Sequence, residues 1–175
     1  IAVPFLAGFV SLAPPGGRRC PWPGPVSGAA PIPPAKPVVG WSAIRGGSGY
    51  GLVGGDGQVF NLGSAASFGS MGGKLLNKPI VGMAGTPTGK GYWLVATDGG
   101  IFAYGDATFL GSTGNIKLNK PIVGMATTPT GRGYWLVASD GGVFAYGDAR
   151  FFGSTGNIKL NKPVVGMAAT PSGTG

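Results

Sequence analysis

The sequence predicts an all-β fold assembled from a repeated unit, and three observations carry that prediction. Thirty-seven glycines and sixteen prolines in 175 residues argue against a set of helices, because these are the two poorest helix formers. The apolar share of 43% still suffices for a buried core, which separates the chain from Gly/Pro-rich disorder. Most informative is a 42-residue period: Lys-Pro, a β-branched pair and Gly recur at Lys36, Lys78, Lys120 and Lys162. Such self-similarity is read before any local motif.

The repeats occupy residues 37–78, 79–120 and 121–162, and a partial fourth copy covers 163–175. The second and third copies agree at 36 of 42 positions, whereas the first is diverged. Each copy reads as about four short strands. In the third, "IVGMATT" from Ile122 is β-branched and follows a proline, which suits a strand's first position because it has no N–H to donate. "PTGRG" is a turn, "YWLVAS" from Tyr134 a second strand, "SDGG" its hairpin turn and "VFAYG" from Val143 a third. "RFFGS" from Arg150 reads as a short fourth strand, and "TGNIKLNK" as a connecting loop with Gly and Asn at turn positions.

Strand faces decide how such units pack. Tyr134, Leu136 and Ala138 point one way and Trp135 and Val137 the other, so both faces are apolar. Val143, Phe144, Ala145 and Tyr146 likewise show no polar face. Sheets covered on both sides and repeated every forty or so residues are the pattern of a β-propeller. Three full copies and a fraction fall short of the four to eight blades of a closed ring, so the expectation is an incomplete ring that further blades or a second chain would complete. Its open edges would invite strand pairing.

Internal comparison of the copies sorts bricks from candidate sites. Asp-Gly between apolar strands is a hairpin signal, and the first copy keeps Asp56 and Gly57 while changing the next residue to Gln58. Asp98 and Asp140 are accordingly turn residues. Asp106 and Asp148 correspond to Ser64 in the first copy, a change that keeps the ability to accept a backbone N–H at a turn and loses the carboxylate. Tyr50, Tyr92 and Tyr134 are all present, which marks them as core, whereas Trp93 and Trp135 correspond to Gly51. Tryptophan can fill the space between blades or stack on a sugar, an apolar ligand or a partner chain. Trp93 and Trp135, with Lys90 and Arg132 in the preceding turn, are therefore the candidate ligand-binding residues.

Thirteen Lys and Arg against five Asp give a net charge of +8, with no Glu and no His. The balance favours polyanionic neighbours, and Lys36, Lys78, Lys120 and Lys162 should fall on one rim of the repeats. Without histidine there is no Ser-His-Asp triad, no Cys-His pair and no imidazole metal ligand. Cys20 alone provides neither a disulfide framework nor a zinc-ligand set, so no cofactor and no metal are expected. "GGSGYG" from Gly46 leads into a strand rather than a helix, which removes it as a phosphate loop. A paired-carboxylate glycosidase would need one acid with a raised pKa across a cleft from the other, and nothing in the pattern supplies it.

Ahead of the repeats, residues 1–13 open with "IAVPFLAGFVSL", a run too short to span a bilayer and of the length of a signal-peptide h-region, though without a charged n-region. The small-residue cleavage candidate "SGAA" from Ser27 lies well downstream of it. Residues 14–36 read as a Pro/Gly-rich, polyproline-like linker.

"YWLVATDGGIFAYGDATF" resembles the strand, Asp-Gly, strand core of propellers of the regulator of chromosome condensation type, although the Gly-Gln-Leu-Gly ending is absent and the period is shorter. More closely, the repeats are similar to the "GYWLVASDGGVFAYGDA" units found in tandem in large secreted bacterial proteins, often beside esterase, peptidase or other hydrolase domains. That resemblance implies a secreted or cell-surface location and non-catalytic propeller blades that bind a polysaccharide, an anionic polymer or a protein partner. The alternative it carries is a non-catalytic part of a secreted hydrolase whose active site lies outside this segment.

Overall fold

The computed structural model describes residues 36–43 and 49–173; the apolar run at 1–13 and the linker as far as residue 35 lie outside the described residues. In chain order the strands are β1 (Val38–Ala43), β2 (Tyr50–Gly54), β3 (Val59–Leu62), β4 (Ile80–Gly85), β5 (Gly91–Ala96), β6 (Ile101–Gly105), β7 (Ile122–Thr127), β8 (Gly133–Ala138) and β9 (Val143–Gly147). They form three antiparallel sheets, β1-β2-β3, β4-β5-β6 and β7-β8-β9, one for each full repeat. No described residue is helical. The fold is all-β, as the composition predicts, and its repeated sheets are those of an unclosed propeller: the first and third sheets do not touch.

Each sheet has three strands rather than four. The expected fourth strand, "RFFGS" from Arg150 and its counterparts, has no ladder. Its glycines explain why: Gly69, Gly111 and Gly153 take φ of 122°, 131° and 114°, outside extended geometry. What holds the segment is the neighbouring sheet, since Gly69 and Gly111 present their carbonyls to the Tyr92 and Tyr134 hydroxyls.

The first strand of every sheet carries a β-bulge at its second residue. Register passes from Ile80↔Ala96 to Gly82↔Val95, leaving Val81 unpaired, and the same shift occurs at Val39 and Val123. A bulge bends its strand and adds twist, which splays successive sheets. The Gly that follows lets neighbouring first strands meet: a Cβ on Gly40 would lie 2.9 Å from Gly82 Cα, and one on Gly124 3.2 Å from Gly166 Cα. The approach accounts for Gly40 and Gly124, whereas a Cβ on Gly82 would make only an ordinary contact with Val95 at 3.5 Å.

The two-faced apolar strands do what their pattern predicts. Every residue of β5 and β8 is buried. Tyr92, Leu94 and Ala96 join Val53, Ile80 and Met83 in the core between the first and second sheets. From the opposite face of β5, Trp93 and Val95 join Ile122, Met125, Tyr134 and Leu136 between the second and third. Main-chain bonds add stitches across the joints, Ile80 N–H to Gly55 O at 3.0 Å and Ile122 N–H to Thr97 O at 2.8 Å. Side-chain burial, at roughly 25 cal/mol per Å² of apolar surface, therefore carries most of the cohesion between sheets.

Candidate functional site

Asp-Gly forms the expected hairpin turns. Asp98 Oδ1 accepts the Gly100 N–H at 2.9 Å, Asp140 the Gly142 N–H at 3.0 Å, and Asp56 the Gln58 N–H at 3.0 Å. Gly99 supplies φ of 76°, and its N–H closes the turn on Ala96 O at 2.8 Å. The second aspartates are also structural, but with other partners than the backbone N–H expected of them. Thr86 donates to Asp106 Oδ1 at 2.8 Å and Thr88 donates to Oδ2; Thr128 and Thr130 do the same to Asp148 at 2.9 and 2.5 Å. This knot ties the β4–β5 turn to the end of β6. In the first copy Ile44, Gly46 and Ser64 stand at the corresponding positions, so both hydroxyls and the carboxylate are lost together. Thr86 is buried, and removing Asp106 takes away its shorter acceptor, leaving the Gly91 carbonyl at 3.2 Å. Asp106→Ala should therefore cost roughly 1–2 kcal/mol, read as a shift of the urea midpoint, while Ser64→Ala should be near neutral.

Lys90 and Arg132 sit in these same turns, with Lys90 N–H and Arg132 N–H each bonded to a threonine hydroxyl at 3.1 Å. Both side chains are exposed. Trp93 and Trp135 lie inside instead, 0% and 5% exposed. Their indole N–H groups donate to Thr108 O at 2.9 Å and Arg150 O at 2.7 Å. Trp93 packs on the Tyr134 ring at 5.9 Å and Trp135 on Phe152 at 6.5 Å. The structure thus keeps the two cations at the surface and the two indoles in the packing, and does not bring the four into one surface. In the first sheet, where Gly51 replaces the indole, a Cβ would meet Met83 Cε at 3.1 Å, so a thioether closes the space.

Tyr92 and Tyr134 are the bolts of the joints, whereas Tyr50, expected in the core with them, is 45% exposed because among the described residues no sheet packs against that face of the first. Tyr134 Oη donates to Gly111 O at 2.5 Å and accepts from Leu110 N–H at 3.1 Å. Burial pushes the Tyr92, Tyr104, Tyr134 and Tyr146 phenols above their ordinary pKa of 10.0. Folding thus favours the neutral phenol. Its contribution is complete below the unfolded pKa near 10 and is lost as pH rises through the higher folded value. The melting temperature should fall steeply above about pH 10, and Tyr134→Phe should flatten that decline while lowering stability at pH 8.

Two concave regions lie at opposite ends of the first strands. At the end carrying Lys90 and Arg132, a cavity of about 360 Å³ is lined by Met83, Thr86, Met125, Thr128, Met167 and Thr170. Its Thr86 and Thr128 hydroxyls are already spent on Asp106 and Asp148. At the other end, cavities of about 620 and 370 Å³ share Lys120 and Asp140, and add Lys117 to one and Lys159 and Lys162 to the other. These four lysines are exposed. All five acids of the chain accept hydrogen bonds from uncharged donors in the turns and knots. Across the two adjoining cavities, here called the lysine groove, four lysines face one aspartate, Asp140, whose Oδ1 accepts the Gly142 N–H. The expected rim row included Lys120 and Lys162; Lys117 and Lys159 belong with them, and the signal was the spacing of "KLNK" within the loop.

No protein-family model matches the sequence, and no curated protein matches it.

Proposed function

We propose that the repeats form a non-catalytic interaction module of a secreted or cell-surface protein, and that the lysine groove binds an anionic polymer such as an acidic polysaccharide. The observation that carries this reading is the charge balance of two adjoining cavities: Lys117 and Lys120 line one and Lys120, Lys159 and Lys162 the other, while the five aspartate side chains accept hydrogen bonds from neutral donors. Unpaired, solvated ammonium groups repeated along a rim attract a chain of regularly spaced anions and release its counterions. The likeness to tandem repeats of secreted bacterial proteins supports a place outside the cell.

The test is binding of the full chain to heparin, with neutral dextran as control, across salt concentration. Four phosphate-like contacts would weaken affinity on the order of 100-fold between 50 and 200 mM salt. Lys117→Gln with Lys159→Gln should roughly halve the slope of log affinity against log salt. A flat salt response, or equal binding to dextran, would overturn the reading.

A further inference from the structure

We propose that the cavity between the second and third repeats is a subsite for an acidic pyranose of a polymeric glycan, with the Phe151 ring as its stacking platform and Lys117 and Lys120 as the partners of its charge. The inference rests on the lysine-groove reading and narrows it from polyanions in general to glycans. The cavity, of about 620 Å³, is bounded by Ile116 to Lys120 of the second repeat and by residues between Ala138 and Asn157 of the third. That volume lies within the usual range of ligand sites, roughly 300–1,000 Å³. Its lysines are exposed, and its one carboxylate, Asp140, already accepts the Gly142 N–H at 3.0 Å.

Charge alone would serve any polyanion; the apolar side chains in the same cavity select among them. Phe151 is 60% exposed and Ile116 56%, and both line the cavity beside Lys117 and Lys120. Of the two neighbouring rings, Phe152 packs on the Trp135 indole, while no ring pair among the described residues includes Phe151. The face of an aromatic ring carries negative charge density and attracts the C–H face of a pyranose. A phosphate chain has no such apolar face to offer. The exposed amides of Asn119 and Asn157 on the same walls supply both donors and acceptors for sugar hydroxyls.

The repeat supplies an internal control for the exposure of the ring. Phe109 stands at the position of Phe151 in the second repeat, and with the complete third sheet joined to the second it is still 57% exposed. Facing solvent is thus a property of this position in the repeat. The loop on the other wall varies in a compensated way. Where the second repeat has Ile116-Lys117, the first has Lys74-Leu75, and both loops end in lysine, Lys120 and Lys78. Each loop thereby carries one aliphatic residue and two lysines, the set that meets Phe151 in the cavity. Leu75 is fully exposed, so burial in the core does not account for an aliphatic residue there.

The test titrates the full chain into labelled oligogalacturonate and into labelled inorganic polyphosphate of matched charge, following anisotropy, for the native sequence and for Phe109→Ala combined with Phe151→Ala. Both rings are more than half exposed, so the double variant keeps the core. Polyphosphate shares the charge and lacks the pyranose face, so the ratio of the two affinities isolates the rings. That ratio should fall about tenfold on their removal, the equivalent of one favourable aromatic contact, and Phe109→Trp with Phe151→Trp should hold it at or above the native value. An unchanged ratio with salt-dependent binding intact would overturn this inference and leave the lysine groove standing, whereas absence of salt-dependent binding to either polymer would overturn both. A labelled oligothymidylate that loses more affinity than the oligogalacturonate when the rings are removed would also overturn it, in favour of a nucleobase platform.

Discussion

Trp93→Ala is expected to lower the unfolding free energy by roughly 3–5 kcal/mol, the range for emptying a large aromatic site in a close-packed core. The indole is 0% exposed, touches the Tyr134 ring and lies in the cluster that joins the second and third sheets. Removing it leaves a void at a joint held chiefly by side chains. Urea denaturation followed by far-ultraviolet circular dichroism measures the loss. Trp93→Phe serves as the control: it keeps much of the apolar volume and gives up one part-buried bond, to the carbonyl of Thr108, an exposed residue, so most of the stability should return. If alanine and phenylalanine cost the same, the N–H bond rather than the packing holds the joint.

Gly105→Ala should cost a similar amount for a different reason. Gly105 has φ of 67°, and an added Cβ would lie 2.1 Å from Lys90 O and 2.8 Å from Gly91 Cα. Both are main-chain atoms, one of the residue just before β5 and one of Gly91, the β5 partner of Gly105. Left-handed geometry alone costs about 1–2 kcal/mol for an L residue, and forcing atoms into a packed site adds roughly 1–3 kcal/mol. Gly73→Ala separates the two contributions, because Gly73 has φ of 75° and open space where its Cβ would go. The expected result is a drop of about 1–2 kcal/mol at Gly73 and at least twice that at Gly105, by the same urea midpoints. Equal losses would mean that the β6 end relaxes around the methyl group.

Much of this architecture is written in the sequence because repetition supplies internal controls. The diverged first copy retains Asp56 and Gly57, and the Asp-Gly turn is where the structure has it. Apolar residues on both faces of "YWLVA" translate directly into two cores, one on each side of β5. The missing fourth strand was not legible: "RFFGS" has strand-like composition, but Gly153 takes a φ that no ladder accepts, and its counterpart Gly111 is fixed by a tyrosine in the following copy. Local propensity cannot report a partner that distant. The same holds for Asp106, whose acceptor role at a turn was readable while its hydroxyl donors, twenty and eighteen residues upstream, were not. Of the four candidate ligand contacts, Lys90 and Arg132 are exposed and the two tryptophans are interior, a distinction that rests on the neighbouring sheet and not on the residues themselves. Lys117 and Lys159 acquire interest only once adjacent loops are seen to share a groove.

The three sheets, joined through sparse main-chain stitches between Ile80 and Gly55 and between Ile122 and Thr97, also set how the array responds to force. A load applied along the polypeptide meets three ladders in series, each closed within its own 42 residues. Release of one unit frees about 140–150 Å of contour length and at the same time uncovers the core it shares with its neighbour. An array built this way lengthens one repeat at a time, each step coupled to the joint beside it.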